Sequence, residues 1–443
     1  MAGPGTCGQD ELLFRVRTQF GIALAAAAAW TGFSLWVALP WIAELSTVLG
    51  SVPAWLLIAG VALLPGCMNA FQVASILLAV KAAPVAEPLG YPPLTVLIAA
   101  YNEASGIADT LRSIAAQRYP AEIEIVVVDD GSTDGTGAAV GAPGCPPVRL
   151  LTLPRNRGKS AALNRGLAAA RHELIATLDA DSWLHADALR LLVGEYLRAS
   201  PRPCAVAGAV FVSNAQSGWA ARLQYWDYFH GIAAAKRVQS IYGATLVAQG
   251  AFSLFERAAL REVGAWRDCV GEDIVITWAL LKRGWSVGYA ESALCFTRVP
   301  DTLAALSQQR KRWARGLIEA LRYHPGLLVQ RRLATFLASW SLIFPWIDFS
   351  FTFGFIPGLG LALFGVYWLV GPATLALIPS ALLLGFVMYR CSARVFAAHG
   401  VRQRHDVVAL ACYTLGYGFI MHPASLRGYA AELLGARKSW ETK

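Results

Sequence analysis

The sequence predicts an α/β domain with a mostly parallel sheet, inserted between two helical membrane regions. Three observations carry this expectation. The 443 residues are 56% hydrophobic and only 15% charged, with a mean hydropathy of +0.46, which is more apolar than a soluble protein needs. The apolar residues gather at the two ends, in charge-free runs from Phe20 to Ala43, from Ser51 to Val80 and again beyond residue 332. Between them, residues 85–330 are rich in charge and alternate short β-branched runs with helical spacing, the pattern of an α/β domain.

The terminal regions come first. A span needs about 20 predominantly apolar residues, and Phe20–Ala43 and Ser51–Val80 each supply them, joined by a short loop around Glu44–Gly50. A second long run follows the first at once and no small-residue cleavage site separates them, so the pair reads as permanent anchors and not as a signal peptide. Lys and Arg number 38 against 29 acids, a net charge of +9. Arg15 and Arg17 precede the first span, Lys81 follows the second, and Arg331 and Arg332 precede the third, which points the N-terminus and the central domain to the cytoplasm. Further charge-free runs are Leu333–Trp346, Phe349–Tyr389 and Val407–Met421, and the Arg390–Arg404 loop carries four arginines. A cytoplasmic loop there requires two crossings between residues 333 and 389. The last run then leaves the C-terminus on the far side, unless the stretch around His422-Pro423 is re-entrant, and Gly354, Pro357, Pro372 and Pro379 keep the count open. The expected organisation is a membrane region at 1–84 with two helices, a cytosolic domain at 85–330, and a membrane region at 331–443 with about three helices. Eight cysteines stand singly, with no C-x-x-C and no Cys/His cluster, so neither a disulfide framework nor a zinc site is indicated and a reduced compartment fits.

The central domain opens with Leu94–Ala99, a short apolar strand that ends in a loop at Asn102-Glu103. Ile107–Gln117 shows helical spacing at Ile107, Leu111 and Ile114. A second strand, Ile123–Val128, stops at Asp129-Asp130-Gly131-Ser132. A third, Val148–Leu153, leads to Asn156-Arg157-Gly158-Lys159-Ser160 and a helix through Ala161–Ala170. The fourth, Leu174–Leu178, ends at Asp179-Ala180-Asp181. A lone D-x-D reads more readily as an ordinary polar turn than as a hard-cation site. In parallel sheets, however, ligands bind beyond the carboxyl ends of the strands, and all four polar clusters belong to that edge. The set suits a nucleotide diphosphate: carboxylates for base and ribose, a lysine for phosphate, and an acidic pair for a divalent cation. Neither G-x-G-x-x-G nor G-x-x-x-x-G-K-[ST] occurs, which removes support from dinucleotide and P-loop readings.

Taken in order, Tyr101-Asn102-Glu103, Asp129-Asp130-Gly131-Ser132, Gly158-Lys159, Asp179-Ala180-Asp181, Gly271-Glu272-Asp273 and Gln309-Arg310-Lys311-Arg312-Trp313 resemble the family 2 glycosyltransferases. More narrowly the chain is similar to the membrane-embedded polysaccharide synthases, which make cellulose, chitin, hyaluronan or poly-β-1,6-N-acetylglucosamine. The segments Arg237–Gly243, Gln249–Leu260 and Val263–Trp266 resemble the bacterial poly-β-1,6-N-acetyl-D-glucosamine synthase branch. The resemblance covers residues 93–330 and extends to the flanking helices.

The resemblance implies a cytosolic GT-A domain and an inverting, processive transfer from a UDP-sugar to a growing polysaccharide. In that reading Asp129 or Asp130 contacts uridine, with Ala99, Tyr101, Asn102 and Glu103 lining base and ribose. Lys159 and Arg312 face the diphosphate. Asp179 and Asp181 hold Mg2+ or Mn2+, and Asp179 also belongs to the donor site. Asp273, with Glu272 beside it, is the general base, and Gln249, Gly250, Gln309 and Trp313 receive the acceptor. Many relatives have Thr before Glu-Asp; Gly271 in its place implies a more flexible loop. Three features keep bland alternatives. Trp219–Lys236 is either a second interface helix or core. Trp340, Phe344, Trp346, Phe349, Phe351, Phe353 and Phe355 either line a polymer path or face lipid and neighbouring helices, and His422 is either packed or functional.

The expected partners are UDP-GlcNAc, the polymer, membrane lipid and a small accessory subunit, with no nucleic acid, in a bacterial inner membrane. Competing functions are synthesis of a hyaluronan-, chitin- or cellulose-like polymer, transfer of one sugar to a lipid, and a nucleotide-sensing scaffold or transporter.

Overall fold

The computed structural model of the chain describes residues 6–78, 88–371 and 406–436, with isolated positions between 382 and 397. Helices α1 (Thr6–Leu49) and α2 (Ser51–Leu78) pack on one another. The expected loop around Glu44–Gly50 shrinks to Gly50, whose φ of 84° ends the helix. Leu45 is fully buried with Ile42, Ala54 and Ile58, so tertiary contact keeps the last turn of α1 helical past Glu44.

Eight strands follow: β1 (Leu94–Ala100), β2 (Ile123–Asp129), β3 (Arg149–Thr152), β4 (Leu174–Asp179), β5 (Ser182–Leu184), β6 (Ala205–Val212), β7 (Phe252–Glu256) and β8 (Val287–Thr297). They form one sheet in the order β3-β2-β1-β4-β7-β6-β8-β5. Strands β3, β2, β1 and β4 are parallel; β7 runs antiparallel to β4 and β6, β6 and β8 are parallel, and β5 is antiparallel to β8. The four expected strands are present within a residue or two of their expected ends, and the mixed second half completes the sheet.

The helices of the domain are α3 (Ile107–Ala115), α4 (Thr136–Val140), α5 (Lys159–Ala169), α6 (Ala188–Arg198), α7 (residues 219–241), α8 (Arg257–Glu262), α9 (Glu272–Lys282) and α10 (Leu303–Tyr323). Because strand side chains alternate, Val96, Ile98, Ile125 and Val127 meet α3 and α6 on one face. Leu97, Val126, Val128 and Ile175 meet α5 and α9 on the other. Both faces are covered, as a largely parallel sheet requires. The second cluster continues into the terminal helices through Phe71, Tyr242 and Trp340, and Ser75 hydrogen-bonds Tyr242 at 2.8 Å. The domain is thereby seated on α1 and α2.

Beyond it lie α11 (Leu333–Ala362), α12 (Val407–Gly416) and α13 (Gly418–Leu433). Helices α1, α2 and α11 are long and apolar enough to cross a membrane, and α12 with α13 meets that test only as a pair bent by 45°. The second expected crossing before residue 389 and most of the Arg390–Arg404 loop lie outside the described residues. His422 is packed: its Nδ1 lies 2.5 Å from Asp348 Oδ1, and Tyr429 donates to Asp348 Oδ2 at 2.7 Å, tying α13 to α11. Of the aromatic series, Trp340 packs on Phe71 and Phe336, Trp346 donates to the Leu56 carbonyl, and Phe351 lies against His422, whereas Phe344, Phe349 and Phe353 are exposed.

Candidate active site

The register levels the strand ends that build the site. Ala99 lies opposite Val128 and Asp179, and Ala100 opposite Asp129. The loop after β1 is stitched to the loop after β2. Asn102 donates its N–H to Ser132 Oγ at 2.9 Å and accepts from the Thr133 N–H at 2.9 Å, while the Glu103 N–H reaches Thr136 Oγ1 at 2.8 Å. Asn102 takes a φ of 55°, a conformation asparagine tolerates better than most residues. Tyr101, half-buried, precedes it.

The two aspartates ending β2 differ. Asp129 accepts from the Ser132 N–H at 2.9 Å and shapes its own turn. Both oxygens of Asp130 are taken, by the N–H groups of Arg157 and Gly158 at 2.8 Å each. Burial lifts the Asp130 carboxyl above its ordinary range against those two bonds. Asp130 therefore shapes the turn that starts α5 at Lys159.

Lys159 is the centre of a charged chain. Its Nζ lies 2.6 Å from Asp179 Oδ1 and 3.3 Å from Glu272 Oε1. Burial opposes its charge, but Asp179, Glu272 and Asp273 outweigh that and hold the ammonium above the usual lysine range. A Cβ on Gly250 would stand 2.6 Å from this Nζ, so the glycine lets the lysine cross. Glu272 and Asp273 form the first turn of α9. Burial pushes the Glu272 carboxyl up to about 7, with Lys159 opposing and Asp273 adding to it. Asp273 Oδ2 accepts from the Gly250 N–H at 3.4 Å. Gln249 is held at both ends, donating to the Gly208 carbonyl at 2.7 Å and accepting from Lys236 Nζ.

Lys236, buried on α7, was not anticipated as a site residue. Burial brings its ammonium down to about 7, with Asp273 opposing. A lone lysine in an amphipathic stretch reads as solvated, and only the tertiary fold turns it inward. Asp181 Oδ1 accepts from Thr297 Oγ1 at 3.3 Å and from Ser182 Oγ at 3.4 Å, groups brought together by the β5–β8 pairing.

Helix α10 closes the site. Gln309 Oε1 is buried with no hydrogen-bond partner among the described residues, an acceptor left for a ligand hydroxyl or amide. Arg312 follows, half-buried, and the Trp313 ring is 44% exposed. Tyr228 of α7 lies against this helix. Its ring lies 6.3 Å from Trp313. Burial, against the pull of Arg310, and the carboxylates of Asp227, Asp181 and Asp179 keep its hydroxyl protonated. The middle of helix α7 is core: Trp226 and Phe229 are buried, while Trp219 at its start is exposed.

Gly271 departs from the expected flexible loop. Its N–H donates to Glu319 Oε2 at 2.9 Å, and it packs against Gly316, so α9 and α10 touch through backbone and the loop is clamped. The arrangement can bind an anion beside paired carboxylates, offer a base from a separate helix, and stack a ring on Trp313.

Residues 95–264 match the family described as glycosyl transferase family 2. A poly-β-1,6-N-acetyl-D-glucosamine synthase of Staphylococcus epidermidis is 36% identical over 230 residues, 52% of this chain and 55% of that protein. The synthase of Staphylococcus aureus strain COL matches to the same extent. The aligned region thus spans about half the length of these relatives. Among solved structures, a mannosyltransferase from Pyrobaculum calidifontis in complex with GDP-Man and Mn2+ superposes with a TM-score of 0.60 at 21% identity, covering 86% of this chain and 99% of that one. The likeness extends to the fold. The chain carries a glycosyl transferase family 2 domain on a GT-A fold, flanked by helices long and apolar enough to cross a membrane.

Proposed function

We propose that the chain is an inverting, processive glycosyltransferase of a bacterial inner membrane. It polymerises a β-linked polysaccharide at the cytosolic face, poly-β-1,6-N-acetylglucosamine from UDP-GlcNAc, and passes it outward. One observation carries the reading: Lys159 pairs with Asp179 and Glu272, and Asp273 beside Glu272 accepts from the Gly250 N–H, on a helix whose leading Gly271 packs against Gly316 of the helix that bears Trp313. The choice of polymer rests on the 36% identity to the staphylococcal synthases. Arg15 and Arg17 in the first turns of α1, and Arg331 and Arg332 just before α11, support the cytosolic orientation.

In this reading Lys159 and Arg312 neutralise the diphosphate, and the loops at Ala99–Glu103 and Asp129 hold base and ribose. Among the described residues no group of three or more His, Cys, Asp or Glu side chains could hold a metal. Asp179 and Asp181 are two carboxylates, the donor set of a hard cation whose remaining positions are filled by substrate phosphates and water. Mg2+ or Mn2+ bound there supplies Lewis-acid charge compensation to the leaving diphosphate. Asp273 removes the acceptor proton from the opposite side, reached through a different element, while Trp313 stacks on the acceptor ring and Gln309 and Gly250 border it.

Incubation of the purified chain with UDP-GlcNAc and Mg2+ or Mn2+, followed by linkage-specific glycosidase digestion, tests the proposal. A long product degraded by a β-1,6-N-acetylglucosaminidase is expected. A single sugar on a lipid would replace processive synthesis by single transfer, and no UDP release from any UDP-sugar would leave the scaffold or transporter reading.

A further inference from the structure

Arg310 stands between two motif residues of α10 and has no part in the roles assigned above. Its side chain is buried, and its Nη2 lies 2.9 Å from Asp227 Oδ2, itself buried. Asp227 opens a π-helical stretch of α7, Asp227–Ala233, a local geometry frequent at functional sites. Two tyrosines fix the carboxylate further: Tyr417 donates to Oδ2, the oxygen that faces Arg310, at 3.1 Å and Tyr413 to Oδ1 at 3.5 Å. The guanidinium carbon sits 3.8 Å from the centre of the Trp313 ring.

A buried guanidinium is costly unless paired, and a planar one stacks on an aromatic face as lysine cannot. Here the charge is held by Asp227 and delivered to one face of Trp313, the most exposed aromatic ring of α10. A cation stacked on one face favours the rotamer that makes the stack, while the residue stays 44% exposed. We propose that the Asp227–Arg310 ion pair is a positioning device that holds Trp313 as a rigid platform for the acceptor sugar. Tyr413 and Tyr417 connect that device to α12 and to the bend before α13. The inference rests on the acceptor role of Trp313 in the reading above.

The test uses the full chain in lipid nanodiscs, with a β-1,6-linked N-acetylglucosamine pentasaccharide and UDP titrated separately by calorimetry. The double variant Asp227→Asn/Arg310→Gln removes both charges together and leaves no unpaired ion in the core. It is expected to weaken pentasaccharide binding about tenfold and leave UDP binding within about twofold. Arg310→Lys keeps the ion pair without the planar stack and should fall between. Unchanged pentasaccharide binding in the double variant, with Trp313→Ala losing it, overturns the positioning role while sparing the acceptor reading. An equal loss of UDP binding overturns it too, because that marks a merely structural pair. A wild-type chain or Trp313→Ala variant that breaks the link between Trp313 and pentasaccharide binding removes the acceptor reading and this inference with it.

Discussion

A Cβ placed on Gly271 would stand 2.4 Å from the Cα of Gly316. The contact is reciprocal, a Cβ on Gly316 falling 2.7 Å from the Cα of Gly271. Two glycines from α9 and α10 therefore bring the helix bearing Glu272 and Asp273 onto the helix bearing Gln309, Arg312 and Trp313. The proposed base and the proposed acceptor platform share one backbone contact.

Substitution at this contact tests how far catalysis depends on it. No side-chain rotation relieves a clash with backbone, so Gly271→Ala or Gly316→Ala must push the helices apart. Overpacking of this kind costs about 1–3 kcal/mol, and misplacing reacting groups by an ångström lowers turnover by about a hundredfold. Thermal midpoints and transfer rates of the two variants should both fall. The double variant should cost less than the sum, since one displacement accommodates both methyl groups. Wild-type turnover in either single variant would show that the contact is dispensable.

The base role assigned to Asp273 predicts a different pattern. Asp273→Asn keeps the shape but offers one acceptor oxygen to the N–H groups of Gly250 and Ile274, and it cannot take a proton. Transfer should drop by about 10²–10⁴-fold, with UDP-sugar affinity close to wild type. Parallel loss of donor binding would place Asp273 in the donor site instead.

Asp181→Ala addresses the cation. Asp181 stands on the side of Thr297 and Ser182, whereas Asp179 also pairs with Lys159. Removing Asp181 should therefore weaken divalent-ion-dependent donor binding without unseating Lys159. Titration of Mn2+ against donor binding is the readout. An unaltered ion requirement would exclude Asp181 as a ligand.

The parts legible in the sequence were those in which chemistry and local structure coincide. Asp179, Lys159 and Asp130 each end a strand or begin a helix, so their place at one sheet edge follows from strand order alone. The second half of the sheet was not legible, because β6 and β7 are short continuous apolar runs that periodicity does not separate from buried helix. Asp227 and Arg310 pair across distant helices, a relation no local pattern encodes. Gly271 looked like freedom and proved to be contact, since a glycine's reason lies in what approaches it.

Lys236 carries the pH prediction. Burial brings its ammonium down to about 7 while Asp273 opposes, whereas an unfolded lysine titrates near about 10.4. Between those values the unfolded chain holds a proton that the folded chain has released, so folding stability rises with pH and is lowest below about 7. One such group contributes a slope of at most about 1.4 kcal/mol per pH unit. A comparison of the wild type with a variant lacking this lysine, from about pH 7 to 9, isolates it. Glu272, brought up to about 7, opposes the rise near the start of this interval, and the thiols of Cys204 and Cys295, which burial pushes up, oppose it from about pH 8.5, where an unfolded thiol releases its proton. Lys159 is held above its ordinary range and acts only at more alkaline pH. The thermal midpoint of the detergent-solubilised wild type should climb relative to that of Lys236→Met across that interval. Lys236→Met removes the titrating group and should raise the midpoint at neutral pH. A slope shared by the variant would assign the effect to another group and return Lys236 to ordinary packing.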